Sequence, residues 1–157
     1  YKVAVTKPYK GTRNNPKPFH FYNLFHYMWS KYDCVLSVNG FEADDMMGVV
    51  QTMKEGTIIC SRDKDLRIIP GNHFSWECGK QRSLGPTYTD RLGRLELHEK
   101  QGTKMVKGER VPCTVDKVIG YGLKFFYLQM LMGDSADNIP GLNKWGEAKS
   151  YEVLKDL

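Results

Sequence analysis

The sequence is short of the cysteine patterns that mark zinc sites and disulfide frameworks. It contains four cysteines, Cys34, Cys60, Cys78 and Cys113, and no two of them form a CxxC pair. Structural zinc sites use such close pairs, so the spacing argues against one. Cys34 and Cys60 stand inside apolar runs and are predicted to be buried small side chains. Four cysteines without close pairing fit a reducing, intracellular compartment.

Long apolar runs are missing as well. No run of about 18 apolar residues occurs, so we expect no membrane-spanning helix. The longest apolar-rich stretch, near Phe125–Met132, is interrupted by Gln129. The first residues lack the apolar segment of a signal peptide. The sequence also lacks a GxSxG nucleophile motif, so catalysis by such a serine has weak support. It lacks a GxxxxGK[ST] phosphate loop as well, which excludes a P-loop NTPase.

Acidic residues are scarce in the first quarter of the chain. The 157 residues carry 23 Lys or Arg and 18 Asp or Glu, a net charge of +5. Residues 1–39 contain six of the basic residues and a single acid, Asp33, so they account for the whole net charge. A segment of this kind attracts a polyanion. On charge alone, a solvated basic surface without a partner stays open as the alternative.

The residues that are present suffice for one folded domain. Hydrophobic residues make up 41% of the chain and aromatic residues 12%. Apolar spacing predicts two helices, and short runs of β-forming residues predict three strands with a helical turn before the third. The helices are Phe19–Trp29 and 42–54, the strands are Cys34–Val38, Thr57–Ser61 and His73–Trp76, and the turn is Leu66–Ile69. This order predicts an α/β fold with a parallel sheet.

The sequence indicates the secondary structure of the second half of the chain less clearly. Residues 77–118 are polar and are predicted to form an insertion beside the sheet, with Leu95–His98 and Lys104–Val111 as a hairpin. A helix is predicted from Val118 to Met132. A loop, a glycine-flanked turn and a short final helix are predicted to follow.

Acidic residues form three clusters along the chain. Two clusters follow predicted strands, and the carboxyl ends of parallel strands are where open sheets bind ligands. Crowded carboxylates repel one another unless a cation neutralises them. Oxygen ligands without nearby His or Cys select Mg²⁺ or Mn²⁺, and two such ions about 3.5–4 Å apart serve phosphodiester hydrolysis. Capping or solvation stays open for any single acid. The clusters are Glu42, Asp44 and Asp45, then Asp63 and Asp65, then Asp134 and Asp137.

Four motifs in order resemble a known family. They are YKGTR at Tyr9–Arg13, GFEADDMMG at Gly40–Gly48, SRDKDL at Ser61–Leu66 and GDSADNIPG at Gly133–Gly141. In this order they resemble the 5′ nuclease superfamily, which includes flap endonucleases, the 5′ nuclease domain of bacterial DNA polymerase I and phage 5′→3′ exonucleases. The stretch TIICSRDKDLRIIPGNHFSW and the later GLNKWGEA are most similar to the phage branch. The resemblance covers most of the chain except about 77–118.

The resemblance implies a Rossmann-like, PIN-like parallel sheet core with a basic helical arch and a helix–hairpin–helix element. It implies hydrolysis of phosphodiester bonds at 5′ ends or flaps of DNA by a two-metal mechanism. The seven acids of the three clusters would be direct or water-mediated ligands of two Mg²⁺ or Mn²⁺ ions. Lys10 and Arg13 would lie at the base of the arch over the scissile phosphate, with Lys7 and Tyr9 beside them on the DNA.

The end of the chain resembles the family's helix–hairpin–helix. Gly141 and Gly146 bracket a turn whose backbone N–H groups would hold a duplex phosphate without reading bases. Lys144 and Lys149 are the predicted side-chain contacts, and the resemblance also implies K⁺ at the turn. The sequence departs from the family here. Lys144 stands where glycine is usual, Trp145 replaces a small aliphatic residue, and Lys149 is one residue late.

The family also supplies two Asp ligands from strands that precede the YKGTR motif, whereas residues 1–8 contain no acid. We therefore expect the chain to lack the first strands and to be the middle of a larger nuclease. The expected division is a basic arch segment at 1–32, an α/β catalytic core at 33–118 with a polar insertion at about 77–118, and the helix–hairpin–helix region at 119–157.

The expected partners are DNA with a 5′ end, a flap or a single-strand/duplex junction, and replication proteins. The expected setting is the cytoplasm of a bacterial or phage-infected cell, away from membranes. Two other functions stay open on the sequence. One is a structure-specific DNA-binding module without a complete catalytic site, and the other is a PIN-like ribonuclease.

Overall fold

The computed structural model describes residues 15–34, 40–79, 81–135, 137 and 139–157. The YKGTR motif lies outside these ranges, and so does the predicted strand at Cys34–Val38 except for Cys34.

The first half of the described chain is a small α/β unit. Helix α1 spans Phe21–Lys31, helix α2 spans Ala43–Met53, and strand β1 spans Ile58–Cys60. A short 3₁₀ helix, Asp65–Ile68, leads to strand β2 at Gly71–Ser75. The predicted helices, strands and helical turn in this region are confirmed to within about two residues at most ends, the usual precision of element boundaries.

Strands β1 and β2 run parallel, with Ile59 opposite His73. The predicted parallel pairing is therefore confirmed. Strand β3, Leu84–Thr89, pairs antiparallel with β2, so the sheet is mixed and its order is β1–β2–β3. This strand falls inside the segment that was expected to lie beside the sheet. The antiparallel edge arises because β3 returns along β2 after a short connection, which parallel pairing does not allow.

A long hairpin follows, and its strands differ from the prediction. Strand β4 spans Arg94–Val106 and strand β5 spans Glu109–Tyr121. The turn between them is Lys107–Gly108, with positive φ at both residues (50° and 88°). Two residues with positive φ suit the right-handed twist of a tight hairpin. The run Lys104–Val111, predicted as one strand, in fact contains this turn.

The predicted start of the next helix at Val118 is also wrong. Strand β5 continues to Tyr121, across the boundary placed at 118/119, and helix α3 spans Gly122–Met132. Gly122 has φ +64°, a conformation that breaks the strand and that glycine adopts without a steric penalty.

The described chain ends in a compact turn and a helix. Two short strands, β6 (Gly133–Asp134) and β7 (Ile139–Pro140), pair antiparallel, and helix α4 spans Glu147–Leu154. The predicted final helix is thus confirmed.

The core lies between the hairpin base and the last two helices. Val118, Phe125, Leu128 and Leu154 form its buried cluster, and Leu128 is only 1% exposed. Burial of such a side chain contributes about 1.5–3 kcal/mol. No helix in the described ranges combines the length and the apolar character that crossing a membrane requires.

The two cysteines that were predicted to be buried are exposed. In β1 the side chains alternate, so Ile59 is buried and Cys60 faces outward. Cys34 follows helix α1, which has no buried residue. The apolar neighbours of both cysteines in sequence therefore do not surround them in space.

Candidate functional site

The site begins in the loop that leaves the carboxyl end of β1. The Ser61 hydroxyl oxygen accepts the Asp63 backbone N–H at 3.1 Å, and Asp63 Oδ1 accepts the Asp65 N–H at 3.0 Å. Short polar side chains favour such turns because they bond the backbone two residues on. These bonds end the strand and place Asp65 at the first position of the 3₁₀ helix.

Lys64 joins two of the motifs. Its Nζ donates to Asp65 Oδ1 at 3.1 Å and to Asp134 Oδ2 at 2.5 Å, across 70 residues of sequence. Burial alone would lower the pKa of Lys64, but the hydrogen bonds to Asp134 and Asp65 prevail and raise it above its ordinary value. An ammonium group therefore lies between two carboxylates.

Gln129 of helix α3 contacts the same carboxylate of Asp65. Its Nε2 donates to Asp65 Oδ1 at 2.5 Å. Sequence reasoning missed both Gln129 and Lys64 as site residues. A signal existed for each, because Gln129 is the polar residue that interrupts an apolar helix and Lys64 stands between the two acids of SRDKDL.

Asp134 is held by the β6–β7 turn. Its backbone pairs with Ile139, and Gly133 pairs with Pro140. A Cβ at Gly141 would overlap the carbonyl group of Met132, so the chain passes too closely for any side chain there. The glycines that open and close GDSADNIPG thus have a steric reason. Asp137 lies half-buried in the loop between the two strands.

The first acidic cluster lies at the start of helix α2. Asp45 Oδ2 accepts the Glu42 N–H at 2.9 Å, one half of a capping box. Asp44 and Asp45 both fall in the first turn, where negative charge is favoured by the helix dipole. The capping role that stayed open for single acids is therefore observed for Asp45.

The predicted ligands do not all converge. In the ranges that the structure describes, no group of three or more His, Cys, Asp or Glu side chains could hold one metal ion. Asp65 and Asp134 do meet, at the Lys64 ammonium. The full ligand set stays a prediction. Lys7, Tyr9, Lys10 and Arg13 lie outside the described residues.

The predicted DNA-binding turn is the loop between β7 and α4. The Leu142 N–H donates to Leu131 O at 2.9 Å, which ties the turn to the end of α3. Lys144 has φ +62°, so the backbone takes a left-handed conformation at the position where the family has glycine. The ammonium of Lys149 lies 4.4 Å from the centre of the Trp145 ring. The late lysine and the unusual tryptophan are thus in contact with each other.

These features define a mixed α/β domain with acidic side chains at the carboxyl end of a parallel strand. A 5′-3′ exonuclease of Buchnera aphidicola subsp. Schizaphis graminum (strain Sg) is 28% identical to this chain over 163 aligned positions. The match takes in 99% of this chain and 48% of the relative, so the chain spans about half the length of that relative. No protein-family model matches the chain. No solved structure matches it either.

The match supports membership of the 5′ nuclease superfamily. The resemblance that the four motifs indicated is therefore confirmed.

Proposed function

We propose that the chain is the nuclease part of a 5′→3′ exonuclease or flap endonuclease that hydrolyses DNA at 5′ ends. The observation that carries the proposal is that Asp65 and Asp134 both contact the Lys64 ammonium. These two acids come from two separate family motifs. The named relative supports the nuclease class.

In this proposal, Asp65 and Asp134 hold a Mg²⁺ or Mn²⁺ ion in the place that Lys64 Nζ takes in the structure. When bound, two such ions supply an activated water and stabilise the leaving oxygen. Gln129 keeps Asp65 oriented through its hydrogen bond. The remaining acids of the clusters, Asp63 among them, complete the proposed ligand set.

The basic groups have separate proposed roles. Lys10 and Arg13 act on the scissile phosphate, where a nearby cation stabilises the charge that develops in the transition state. The turn at Gly141–Gly146 and Lys144 hold a duplex phosphate away from the chemistry. K⁺ at this turn, flap specificity and replication partners belong to the same proposal.

A DNA-binding module without catalysis is the second candidate. It is favoured by one observation, which is that the Lys64 ammonium contacts both Asp65 and Asp134 and offsets one of their two negative charges. A carboxylate pair that is satisfied by a lysine does not require an ion in order to fold.

The test is cleavage of a 5′-labelled flap duplex in Mg²⁺ by the full-length protein as wild type, as Asp134→Asn and as the control Asp116→Asn. Asp134→Asn keeps an oxygen acceptor for Lys64 but removes the charge, so cleavage is expected to fall by about two orders of magnitude or more. DNA binding should persist, because phosphate contacts supply most of it. Asp116 lies on β5 in the hairpin, and its variant should cleave normally.

Wild-type cleavage that is unaffected by Asp134→Asn would contradict the proposed site. A full-length wild-type protein that binds the flap duplex but cleaves it in neither Mg²⁺ nor Mn²⁺ would establish the binding module instead.

A further inference from the structure

The hairpin of β4 and β5 extends away from the core. Each of its strands has 13 residues, so the hairpin is roughly 40 Å long at about 3.3 Å per residue. Its base is packed, because Val118 belongs to the buried cluster and Leu95 lies against that cluster. Residues 97–117 are exposed except for Gly102 and Cys113, which are half-buried. Core packing therefore does not explain the length of the hairpin, and no step of the proposed DNA cleavage involves it.

One face of the hairpin collects lysines. Residues that lie opposite each other in an antiparallel pair point to the same face, and so does every second residue along a strand. The register pairs Lys100 with Val115 and Lys104 with Val111. Lys117 stands two residues from Val115 on the same strand. The three lysines therefore share one face, which we call the basic face.

The opposite face is acidic. Glu99 and Asp116 lie directly opposite each other there, and like charges in this arrangement repel each other. On the basic face, by contrast, the only acid beyond Glu96 is Glu109, at the turn. A polyanion that approaches the hairpin is therefore repelled by one face and attracted by the other.

Two of the lysines are exposed and unpaired. Neither Lys100 nor Lys104 forms an ion pair with any residue that the structure describes. They stand four residues apart, which is roughly 13 Å along the strand. Duplex DNA carries one negative charge per about 1.7 Å of its axis, so a duplex that lies along the hairpin offers phosphates to both.

The base of the basic face adjoins the proposed DNA-binding turn at Gly141–Gly146. Glu147 is the first residue of α4 and directly follows that turn. Its Oε1 accepts the Val118 N–H at 2.9 Å and lies 3.9 Å from Lys117 Nζ. One side chain thus joins the end of the turn to the start of the basic face. A duplex that is held at the turn can therefore continue along the hairpin.

We propose that the basic face of the hairpin binds the phosphate backbone of duplex DNA through Lys100 and Lys104. The choice of DNA as the polyanion rests on the proposed function. Residues 94–120 contain no Phe, Tyr or Trp, whereas surfaces for single strands stack bases on such rings. Contacts to phosphates position a duplex without reading its bases, so the surface serves duplexes of any sequence.

The first experiment measures binding of the full-length protein to a blunt duplex longer than the hairpin, in EDTA and over a range of salt concentrations. Lys100→Gln and Lys104→Gln should each flatten the salt dependence by about 0.9 units of slope and weaken binding about five- to tenfold at roughly 0.1 M salt. The variant with Lys100→Arg and Lys104→Arg should bind as the wild type does, because it keeps both charges.

The matched control is Arg110→Gln. Arg110 pairs with Met105 and so lies on the face that carries Glu99 and Asp116. This variant loses the same charge from the same hairpin and should keep the wild-type slope and affinity. Equal effects of Arg110→Gln and the two lysine variants, or wild-type binding by both lysine variants, overturn the proposal.

The second experiment repeats the measurement with a single-stranded oligonucleotide of the same length. Lys100→Gln and Lys104→Gln should change its affinity by less than about twofold, because the face offers no aromatic ring for its bases. Equal losses of affinity for the single strand and for the duplex would overturn the assignment to duplex DNA.

Nuclease activity of the wild-type full-length protein is assayed separately in Mg²⁺. A protein that binds duplex DNA through Lys100 and Lys104 but does not cleave a flap duplex would refute the proposed function and leave the basic face intact. A protein that cleaves the flap duplex, but binds duplex DNA equally well without these lysines, would refute the basic face alone.

Discussion

Lys64 occupies the point at which the carboxylates of Asp65 and Asp134 meet. Its ammonium contacts Asp65 and Asp134, so a divalent ion at this pair has to displace it. We expect Lys64→Met to bind Mn²⁺ more tightly, by roughly tenfold, because the competing cation is gone and the two carboxylates repel each other. Calorimetric titration with Mn²⁺ measures the change.

The matched control for this variant is Lys124→Met, since Lys124 donates to the Lys155 carbonyl at the far end of α4. Its Mn²⁺ affinity should equal that of the wild type. Weaker Mn²⁺ binding by Lys64→Met would show that the lysine organises the site rather than competing for it.

His73 makes stability depend on pH. It is 5% exposed on β2, and burial lowers its pKa below the ordinary value of 6.5, with a further decrease from nearby Arg67 and an opposing effect of its hydrogen bond to Ile69 O. The unfolded chain therefore binds a proton more readily than the folded chain. The contribution of His73 is fully present above pH 6.5 and is lost as the pH falls below it, by at most about 1.4 kcal/mol per unit.

Urea unfolding between pH 7 and pH 5 tests this sign. His73→Gln keeps a donor for the Ile69 carbonyl but does not titrate, so its stability should fall less steeply with pH than that of the wild type. His26→Gln, a change on the exposed helix α1, should keep the wild-type slope. Parallel slopes for wild type and His73→Gln would contradict the argument.

Among the elements, the loop between β7 and α4 carries strain at Lys144, whose φ is +62°. A left-handed conformation costs a non-glycine residue about 1–2 kcal/mol, and glycine returns roughly 0.5–1 kcal/mol of this through the entropy of the unfolded chain. Lys144→Gly should therefore stabilise the fold by about 0.5–1 kcal/mol in urea unfolding. Ala148→Gly, within helix α4, should destabilise it by about 1 kcal/mol.

The same variant separates stability from DNA binding. If Lys144 contacts a duplex phosphate, Lys144→Gly should flatten the salt dependence of duplex binding by about 0.9 units of slope. A variant that is more stable and binds duplex DNA less well would explain why this chain keeps a strained lysine. Loss of stability on substitution would show that the lysine makes contacts which outweigh the strain.

Elements with a local signal were predictable from the sequence. Helix α2 follows from apolar spacing, and strand β1 follows from a short apolar run of β-forming residues. Strand β3 was missed because its place depends on pairing with β2, which no local pattern encodes. The β4–β5 register was missed because lysine seldom marks a turn with positive φ, although Lys107 forms one here.

The candidate site was predictable in part for the same reason. The motifs marked Asp65 and Asp134, but the groups that contact them come from outside the acidic pattern. Lys64 was read only as part of a motif, and Gln129 reaches Asp65 from 64 residues away in the sequence. The positions of acidic residues in the sequence do not show which cation or hydrogen-bond donor contacts each of them.

At the scale of the whole molecule, charge is divided along the chain. The entire net charge of +5 resides in residues 1–39, and the rest of the chain is balanced. Basic groups attract a phosphate backbone and clustered carboxylates attract cations, so this division agrees with the proposed function.

Metal binding should therefore raise the free energy of unfolding of the whole chain. A ligand that binds only the folded state stabilises it by about 2.7 kcal/mol when its free concentration is a hundredfold above Kd. At roughly 2–4 °C per kcal/mol for a chain of this size, saturating Mg²⁺ should raise the thermal midpoint by about 5–10 °C relative to EDTA.

Asp65→Asn should lose most of this shift, because it removes one of the two carboxylates that meet at Lys64. Asp116→Asn in the hairpin should keep the shift, and so controls for the general effect of removing one negative charge. A scanning calorimetry series with and without Mg²⁺ decides the matter: an equal shift in Asp65→Asn and wild type would place the bound ion elsewhere, and no shift in the wild type would remove the metal from the site.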